Sequence, residues 1–528
     1  MSLDLSPTAA KTLLVLRDVP GAERVLTPEA IAFLGALHAA FGPQIQAVLR
    51  ARFARQHGYD SGRLPGYLEE TTDIRRGPWS AAPVPAPLAD RRVELIGPVT
   101  RPEMIAAMSS GARSFVADFD DATAPRFDTM IAGQANLIDL CSGALAEGAP
   151  ALPDAPVLFV RPRRLHLHEG NIMIDGGPIA AALFDFGLHM FHNARALADA
   201  GRGPFLCLAG IENHREARLW NSILGWAQER LELAPGAIRV TVEIDALRAA
   251  FEMDEIVWEL REVITALIAA PGTYVLSYIR TLRNHAAHVL PDRAELRLDH
   301  GFLAHYGARL VKVCHRRGIH ALGGVASQLA GPAATLEVLR ADKLREVEMG
   351  HDGSRVSDPA LVAPVRAVFD AHMPEANQIK RPRQYYRIEE QKLLEPHRGA
   401  ITETGLRDSI ATALECLARW LSGRGSAPAG DAPPDMSTAE ICRAQLWQWV
   451  RHGATVQLDQ GGTRTMTAEW FSALLQAEVG TILDRIGGGA FHRGHYASAV
   501  RLLSEAVTAE MLPDFIAVPA GDVLNALE

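Results

Sequence analysis

Three arginines stand close together just after a short apolar run at 157–160. They are Arg161, Arg163 and Arg164, within the string LFVRPRRLHLHE at 158–169. The apolar run predicts a short buried strand. Because burying unpaired guanidinium groups is costly, the arginines must open into a cleft or onto the surface. A guanidinium offers a rigid fork of donors suited to carboxylates and to developing oxyanions. A solvated basic patch at a strand end is the alternative.

Acidic side chains follow several other apolar runs. One such acid is usually only a helix cap. Several acids that converge with an arginine at one rim are harder to explain in that way, since like charges repel unless a cation joins them. The acids are Asp118, Asp120 and Asp121 after one run, Glu212 after another, and Asp245 at the end of a third.

The elements that would position these side chains recur from about residue 93, as apolar runs alternating with helical segments. Uncharged runs buried on both faces predict parallel strands. Seven clear runs and one weak run fit a (β/α)₈ barrel, in which catalytic groups come from the carboxyl ends of several strands. A doubly wound sheet is the alternative, but we find no Gly-rich dinucleotide fingerprint and no P-loop. The runs are Val93–Ile96, Ser114–Ala117, Val157–Val160, Pro204–Leu208, Ile238–Ile244, Tyr274–Ile279, Gly318–Val325 and, weakly, Ala294–Leu298.

One more acid, Asp435, follows the Gly-, Pro- and Ala-rich segment 423–434 and precedes a predicted helix. Ser437 and Glu440 have the spacing of a capping box at the start of that helix, and 441–450 carries its apolar face. For Asp435, the alternative to a chemical role is an N-terminal charge that stabilises the helix dipole.

Composition excludes several classes of protein. The chain has 528 residues and a net charge of −9, which argues against general nucleic-acid binding. We find no uninterrupted apolar run of about 18 residues and no signal peptide, so we expect a cytoplasmic protein that spans no membrane. Its five scattered cysteines form no CxxC pair, so they predict neither a zinc site nor a disulfide framework.

The chain resembles malate synthase, in the A-type isoform of the glyoxylate cycle. The matching strings occur in the family's order over roughly residues 25–515. The resemblance implies a TIM barrel with an N-terminal helical clasp at 1–90, the barrel at 91–365 and a C-terminal helical plug domain at 366–528. The strings are DRRVELIGP at 90–98, ADFDDATAP at 117–125, FVRPRRLHLHE at 159–169, LFDFGLHMFHNA at 183–194, IENHREARLWN at 211–221, AAFEMDEIVWELRE at 249–262, VLPDRAEL at 289–296, CHRRGIHALGG at 314–324 and STAEICRAQLWQWVRH at 437–452.

The resemblance also implies an activity. The family is an acyltransferase that condenses acetyl-CoA with glyoxylate and water, giving malate and CoA, with Mg²⁺ as cofactor. Arg161 matches the catalytic arginine and Asp435 the aspartate base. A positioned carboxylate removes the weakly acidic thioester α-proton while a cation stabilises the enolate. The other residues implied are Asp118, Asp120 and Glu212 at the substrate, and Asp245 at the metal. We expect a monomer or a small homo-oligomer.

The sequence departs from the family where the metal and glyoxylate would bind. Asp245 stands where the family has Glu, and the neutral Thr273 replaces a second acidic ligand, at the start of the predicted sixth strand. Since Mg²⁺ prefers several oxygen ligands and gains most from anionic ones, we expect a weakened Mg²⁺ site. Further replacements are Asp120 for Glu, Gly210 for Lys, Arg164 for Gly and Arg355 for Trp.

These departures leave alternatives to a malate-synthase-type condensation. One is a divergent enzyme that uses another 2-oxo acid or acyl-CoA, or runs as a lyase. In such an enzyme, Arg164 and Arg355 would bind an additional carboxylate. The other is a CoA-binding pseudoenzyme, against which the retention of both Arg161 and Asp435 argues.

Overall fold

A closed barrel of eight parallel strands forms the centre of the computed structural model, which describes residues 13–145, 155–325, 336–381, 389–425 and 435–527. The barrel confirms the predicted fold class. Its strands follow one another in the order β2, β3, β4, β7, β8, β9, β10 and β11, and β11 pairs with β2. The strands of the protein are β1 Leu13–Val15, β2 Val93–Pro98, β3 Ser114–Asp118, β4 Val157–Arg161, β5 His168–Ile174, β6 Gly177–Ala180, β7 Phe205–Leu208, β8 Arg239–Ile244, β9 Ile264–Ala269, β10 His320–Gly323, β11 Gly353–Val356, β12 Thr455–Gln457 and β13 Thr463–Thr465.

Helices surround the barrel and form the regions before and after it. Barrel helices alternate with the strands, as the sequence rhythm predicts. The helices are α1 Ala22–Val25, α2 Pro28–Asp60, α3 Thr72–Arg76, α4 Arg101–Met108, α5 Phe127–Ser142, α6 Ala181–Asp199, α7 His214–Arg230, α8 Leu247–Phe251, α9 Met253–Glu259, α10 Pro271–Thr281, α11 Gly301–Arg317, α12 Leu336–Met349, α13 Val362–His372, α14 Glu403–Leu421, α15 Met436–Arg451, α16 Ala468–Ile486, α17 Gly488–Arg493, α18 Tyr496–Thr508 and α19 Ala517–Leu527. The domain boundaries stay predictions.

Two predicted strands are wrong. The run 274–279 lies inside α10, and 294–298 forms no strand; β9 and β11 complete the barrel instead. A fully buried helix and a fully buried strand both present an unbroken apolar run, so periodicity does not separate them. Pro271 at the first position of α10 favours the helix. Thr273 therefore lies in the first turn of a helix and does not begin a strand.

Helix α2 packs along α6 through buried apolar side chains such as Phe33, Leu34 and Leu37. At Gly187 of α6, a Cβ atom would lie 2.6 Å from Cδ2 of Leu34, so the glycine permits the close approach of the two helices. Within the described ranges, α2 is the one helix long and apolar enough to cross a membrane, a test that core helices also pass. Its packing against α6 is that of a core helix.

Helix α15 joins the C-terminal helices to the barrel. It is buried from Met436 to Trp449 and packs against both α14 and α10. Its polar side chains bond to backbone carbonyls of the barrel segment, since Gln445 Nε2 donates to Pro291 O at 2.8 Å and Trp449 Nε1 donates to Leu290 O at 2.8 Å. These bonds tie the C-terminal half of α15 to the barrel segment.

Candidate active site

Strand register brings Asp118 and Arg161 side by side at the carboxyl ends of β3 and β4. Arg161 Nη1 donates to Asp118 Oδ1 at 2.8 Å. The same carboxylate accepts from the backbone N–H of Asp120 and of Ala122, each at 2.9 Å. The loop after β3 therefore wraps around Asp118, and the buried carboxylate both shapes this loop and orients the arginine.

Arg161 is buried among several carboxylates. Its Nη2 also donates to Asp121 Oδ2 at 2.9 Å and to Glu243 Oε2 at 3.1 Å. Burial alone would lower the pKa of Arg161, but the carboxylates, Asp118 foremost, raise it well above its usual value. Arg161 is thus a fixed, permanently charged cation at the barrel mouth.

Sequence reasoning missed Glu243. It lies in β8, two residues before the predicted Asp245, which follows the last residue of that strand. Burial opposes ionisation of Glu243, but Arg161 and Arg355 lower its pKa to about 2. The detectable signal was the alternation of Thr241 and Glu243 with Val240, Val242 and Ile244 along the strand.

The guanidinium of Arg355 lies inside the barrel. It donates from Nε and Nη2 to Glu94 Oε1 at 2.9 and 2.7 Å, and from Nη1 to Glu243. Nη2 also contacts Cys207 Sγ at 3.1 Å. These buried partners engage the guanidinium, so the structure gives no support to Arg355 as the receptor for an additional substrate carboxylate.

Asp435 is the N-cap of α15 and is half-buried. Its Oδ1 accepts from Thr438 N at 3.1 Å, from Ser437 Oγ at 2.6 Å and from Thr438 Oγ1 at 3.2 Å. The predicted capping box is wrong, because the helix begins at Met436 and Glu440 instead accepts from Arg443 at 2.6 Å. Asp435 thus caps the helix by hydrogen bonds, at the N-terminal position where its alternative role was that of a charge stabilising the helix dipole.

Two cavities lie between the barrel mouth and the C-terminal helices, and they share Asp121 and Thr273. Every residue predicted for the site lines one or both of them. The first cavity is lined by Asp120, Arg164, Glu212, Asp245 and Thr273 of the barrel together with Met436 and Phe515; the second is lined by Asp118, Arg161, Glu243, Thr273 and Arg355 together with Asp435.

Arg164 is held by three carboxylates in the first cavity. Its Nη1 and Nη2 donate to the two carboxylate oxygens of Asp121 at 3.0 and 2.9 Å, and Nη1 also donates to Asp120. Asp245 Oδ2 lies 3.5 Å from Nη2. Burial, together with the negative charges of neighbouring aspartates, raises the pKa of Asp120, and burial raises that of Asp245 to about 6.

Glu212 lines the same cavity but is paired with arginines. Its Oε2 lies 3.0 Å from Arg248 Nη1, and its Oε1 lies 3.6 Å from Arg52 Nη1. Burial opposes its ionisation, but Arg248 and Arg52 lower its pKa to about 2. Arg52 belongs to α2 and also donates to the carbonyl of Gly210 at 2.7 Å, so the N-terminal region helps to build the barrel mouth.

Three family models match successive parts of the chain. They are "Malate synthase, N-terminal domain" at residues 14–73, "Malate synthase, TIM barrel domain" at 157–396 and "Malate synthase, C-terminal" at 400–524. The chain belongs to the malate synthase family. Malate synthase of Myxococcus xanthus (strain DK1622) is 42% identical over 519 residues, covering 96% of this chain and 95% of that protein. Glyoxysomal malate synthase of Zea mays is 40% identical over 523 residues, covering 95% and 93%.

Membership of the malate synthase family supports the acyltransferase prediction, and nothing in these similarities supports the divergent enzyme or the pseudoenzyme.

The Mg²⁺ that the family implies does not fit the donors present. A guanidinium lies between the carboxylates, and Thr273 Oγ1 donates to Ala270 O at 3.2 Å. Within the described part of the chain, no group of three or more His, Cys, Asp or Glu residues is arranged to hold a metal ion.

Proposed function

We propose that this chain is a malate synthase that condenses acetyl-CoA with glyoxylate and water, giving malate and CoA. The observation that carries the proposal is that Asp435 and Arg161 line one cavity at the carboxyl end of the barrel. The two residues come from different regions, Asp435 from the start of α15 and Arg161 from the end of β4. The packing of α15 on the barrel segment therefore sets the geometry of base and cation.

In this proposal, Asp435 removes a proton from the acetyl methyl group of the thioester. Arg161 stabilises the negative charge that develops on the thioester oxygen, which is the usual task of a preorganised cation. The resulting carbon nucleophile attacks the aldehyde carbon of glyoxylate, and the new alkoxide takes up a proton. Water then cleaves the thioester, which releases CoA and malate.

The acids predicted at the substrate act mainly through arginines. Asp118 accepts from Arg161, Asp120 accepts from Arg164, and Glu212 is paired with Arg248. We therefore assign them as positioning residues that hold cations at the cavity walls. The part of the first cavity next to Met436 and Phe515 is the space proposed for the acyl-CoA arm. Glyoxylate is placed on the barrel side, near Thr273, which both cavities share.

A CoA-release assay tests the function. Acetyl-CoA is mixed with glyoxylate, pyruvate, 2-oxobutyrate or oxaloacetate, or with no oxo acid, and free thiol is followed with a chromogenic disulfide. Each reaction is run with added Mg²⁺ and with EDTA. We expect glyoxylate to give the highest kcat/KM and malate to be the product by chromatography. A preference for another 2-oxo acid, or release that does not depend on any oxo acid, would contradict the proposal.

A further inference from the structure

We infer that the guanidinium of Arg164 is the resident cation of this active site, in the place of a divalent metal, and that it binds the 2-oxo acid. The part of this inference that concerns glyoxylate binding and turnover rests on the proposed function. The expectation that the site binds no divalent metal is tested without measuring turnover. The donors of this site do not fit Mg²⁺.

Carboxylates surround the guanidinium of Arg164. Both of its Nη atoms donate to Asp121 in a fork, at 3.0 and 2.9 Å, and Asp120 and Asp245 lie against the same group. A two-pronged pair of this kind fixes the guanidinium plane as well as its position. The side chain is only 10% exposed. The cation therefore occupies the interior of the carboxylate cluster and is not a solvated surface charge.

The surroundings are shaped for the arginine. Gly210 has φ +70°, and a Cβ atom there would lie 3.0 Å from Cγ and 3.1 Å from Cδ of Arg164. The lysine expected at 210 would press on that stem, which would have to shift by a few tenths of an ångström. Asp120 and Asp245 are each one methylene shorter than the glutamates expected there, which leaves more room for a guanidinium. Replacements at three positions are thus explained by the side chain of Arg164.

Few carboxylate oxygens near Arg164 remain free to bind a metal. Asp245 Oδ2 accepts from Gly210 N at 3.0 Å, while Oδ1 is buried and has no hydrogen-bond partner among the described residues. Thr273 is neutral and bonds to its own helix at Ala270 O. A hard divalent cation needs about six oxygen ligands and gains most from anionic ones. Among the three carboxylates around Arg164, Asp245 Oδ1 is the one buried oxygen left without a hydrogen bond, and Glu212 Oε2 is paired with Arg248, so the site lacks the anionic ligands of a metal.

A guanidinium can bind the oxygens of the 2-oxo acid in the place of a metal cation. It keeps its charge at every pH at which the protein is folded and presents N–H donors to carboxylate or carbonyl oxygens. Arg164 lines the cavity that also holds Thr273 and Asp245. Its Nη atoms are engaged, but its Nε donates to no described residue, whereas Nε, Nη1 and Nη2 of Arg355 all donate to carboxylates. Arg164 binds the glyoxylate oxygens by charge-assisted hydrogen bonds. Activity should therefore be insensitive to chelators.

The test uses four full-length proteins: wild type, Arg164→Gly, Thr273→Asp and the double variant. Each is stripped of metal and titrated with Mn²⁺, and free Mn²⁺ is measured by electron paramagnetic resonance; thermal unfolding checks that each protein is folded. Removing the guanidinium and adding a carboxylate should together create a metal site. We expect the double variant to bind one Mn²⁺ at least about tenfold more tightly than wild type, and Thr273→Asp alone to bind no better than wild type.

Two results would overturn the inference. One is stoichiometric, micromolar Mn²⁺ binding by wild type, which is decisive even where the double variant does not fold. The other is Thr273→Asp alone binding as tightly as the double variant, because the guanidinium would then leave the site open. In kinetics, wild type should keep its CoA release in EDTA, and Arg164→Lys should raise KM for glyoxylate more than it lowers kcat. A wild type that turns over no 2-oxo acid would refute the proposed function and leave the Mn²⁺ result standing.

Discussion

Asp118 and Arg161 are register partners on neighbouring barrel strands, joined by a 2.8 Å bond from Arg161 Nη1 to Asp118 Oδ1. Because the pairing of β3 with β4 fixes both side chains, the cation is oriented before any substrate arrives. Such preorganisation spares the reaction the cost of turning dipoles and charges toward the developing enolate. The position of the cation is therefore set by the pairing of two barrel strands.

Replacing Arg161 should affect both catalysis and stability. Arg161→Met removes the cation that stabilises the enolate, so CoA release should fall by about 10²–10³-fold. It also leaves Asp118, Asp121 and Glu243 without their shared buried partner, which should cost about 3–5 kcal/mol in unfolding free energy. Denaturant unfolding and the CoA assay measure the two effects.

The matched control for Arg161→Met is Arg113→Met. Arg113 pairs with Asp90 at 3.1 Å, but its side chain is 55% exposed. An exposed pair contributes under about 1 kcal/mol, and this one lies away from the cavities. A stability loss in Arg161→Met no larger than in Arg113→Met would contradict the buried network as described.

Two substitutions of Asp435 separate its chemical role from its capping role. Asn caps a helix about as well as Asp, so Asp435→Asn should keep the melting temperature while deuterium exchange into the acetyl group of acetyl-CoA falls by about 10²–10⁴-fold. Asp435→Ala should lose the exchange and also about 0.5–2 kcal/mol of stability. Normal exchange in Asp435→Asn would exclude the residue as the base.

Glu212 should make the protein sensitive to acid. Its pKa is lowered to about 2 in the folded protein, against about 4.3 in an unfolded chain. Its contribution is therefore complete above about pH 5 and is lost as the pH falls toward 2, with an upper limit of about 3 kcal/mol. The difference in unfolding free energy between wild type and Glu212→Gln should shrink from pH 6 to pH 3. A difference for Glu212→Gln that does not change between pH 6 and pH 3 would contradict the pairing with Arg248 and Arg52.

Gly210 and Gly236 offer a matched pair for the packing of Arg164. Both have positive φ, +70° and +77°, but a Cβ at Gly236 would meet nothing within 4 Å. Gly236→Ala should cost only the left-handed backbone strain, about 1–2 kcal/mol. Gly210→Ala should cost about 1–3 kcal/mol more, because the methyl group also strikes the stem of Arg164.

The same comparison in an Arg164→Ala background isolates that contact. Without the stem, the excess cost of Gly210→Ala over Gly236→Ala should disappear in thermal unfolding. An excess that persists would mean that Gly210 is required for a reason other than the path of Arg164.

Much of the site was predictable from sequence because each residue follows a local signal. Arg161 and Asp118 end apolar strands, Asp245 follows another, and Asp435 precedes a helix. In a parallel barrel, all strands have their carboxyl ends at one mouth, so such residues converge wherever the strands are correctly identified. The barrel and the residues around its mouth were therefore within reach of the sequence.

Only the tertiary structure decided which charges pair. Arg164 and Asp120 are 44 residues apart, and Arg355 and Glu243 are 112 residues apart. The charged Arg355 also hid β11, since a charge inside a strand looks unfavourable until its partner is known. Local sequence patterns predict whether a residue is buried, caps a helix or requires a charged partner. The identity of a distant partner depends on strand order and register, and these are fixed only when the barrel closes.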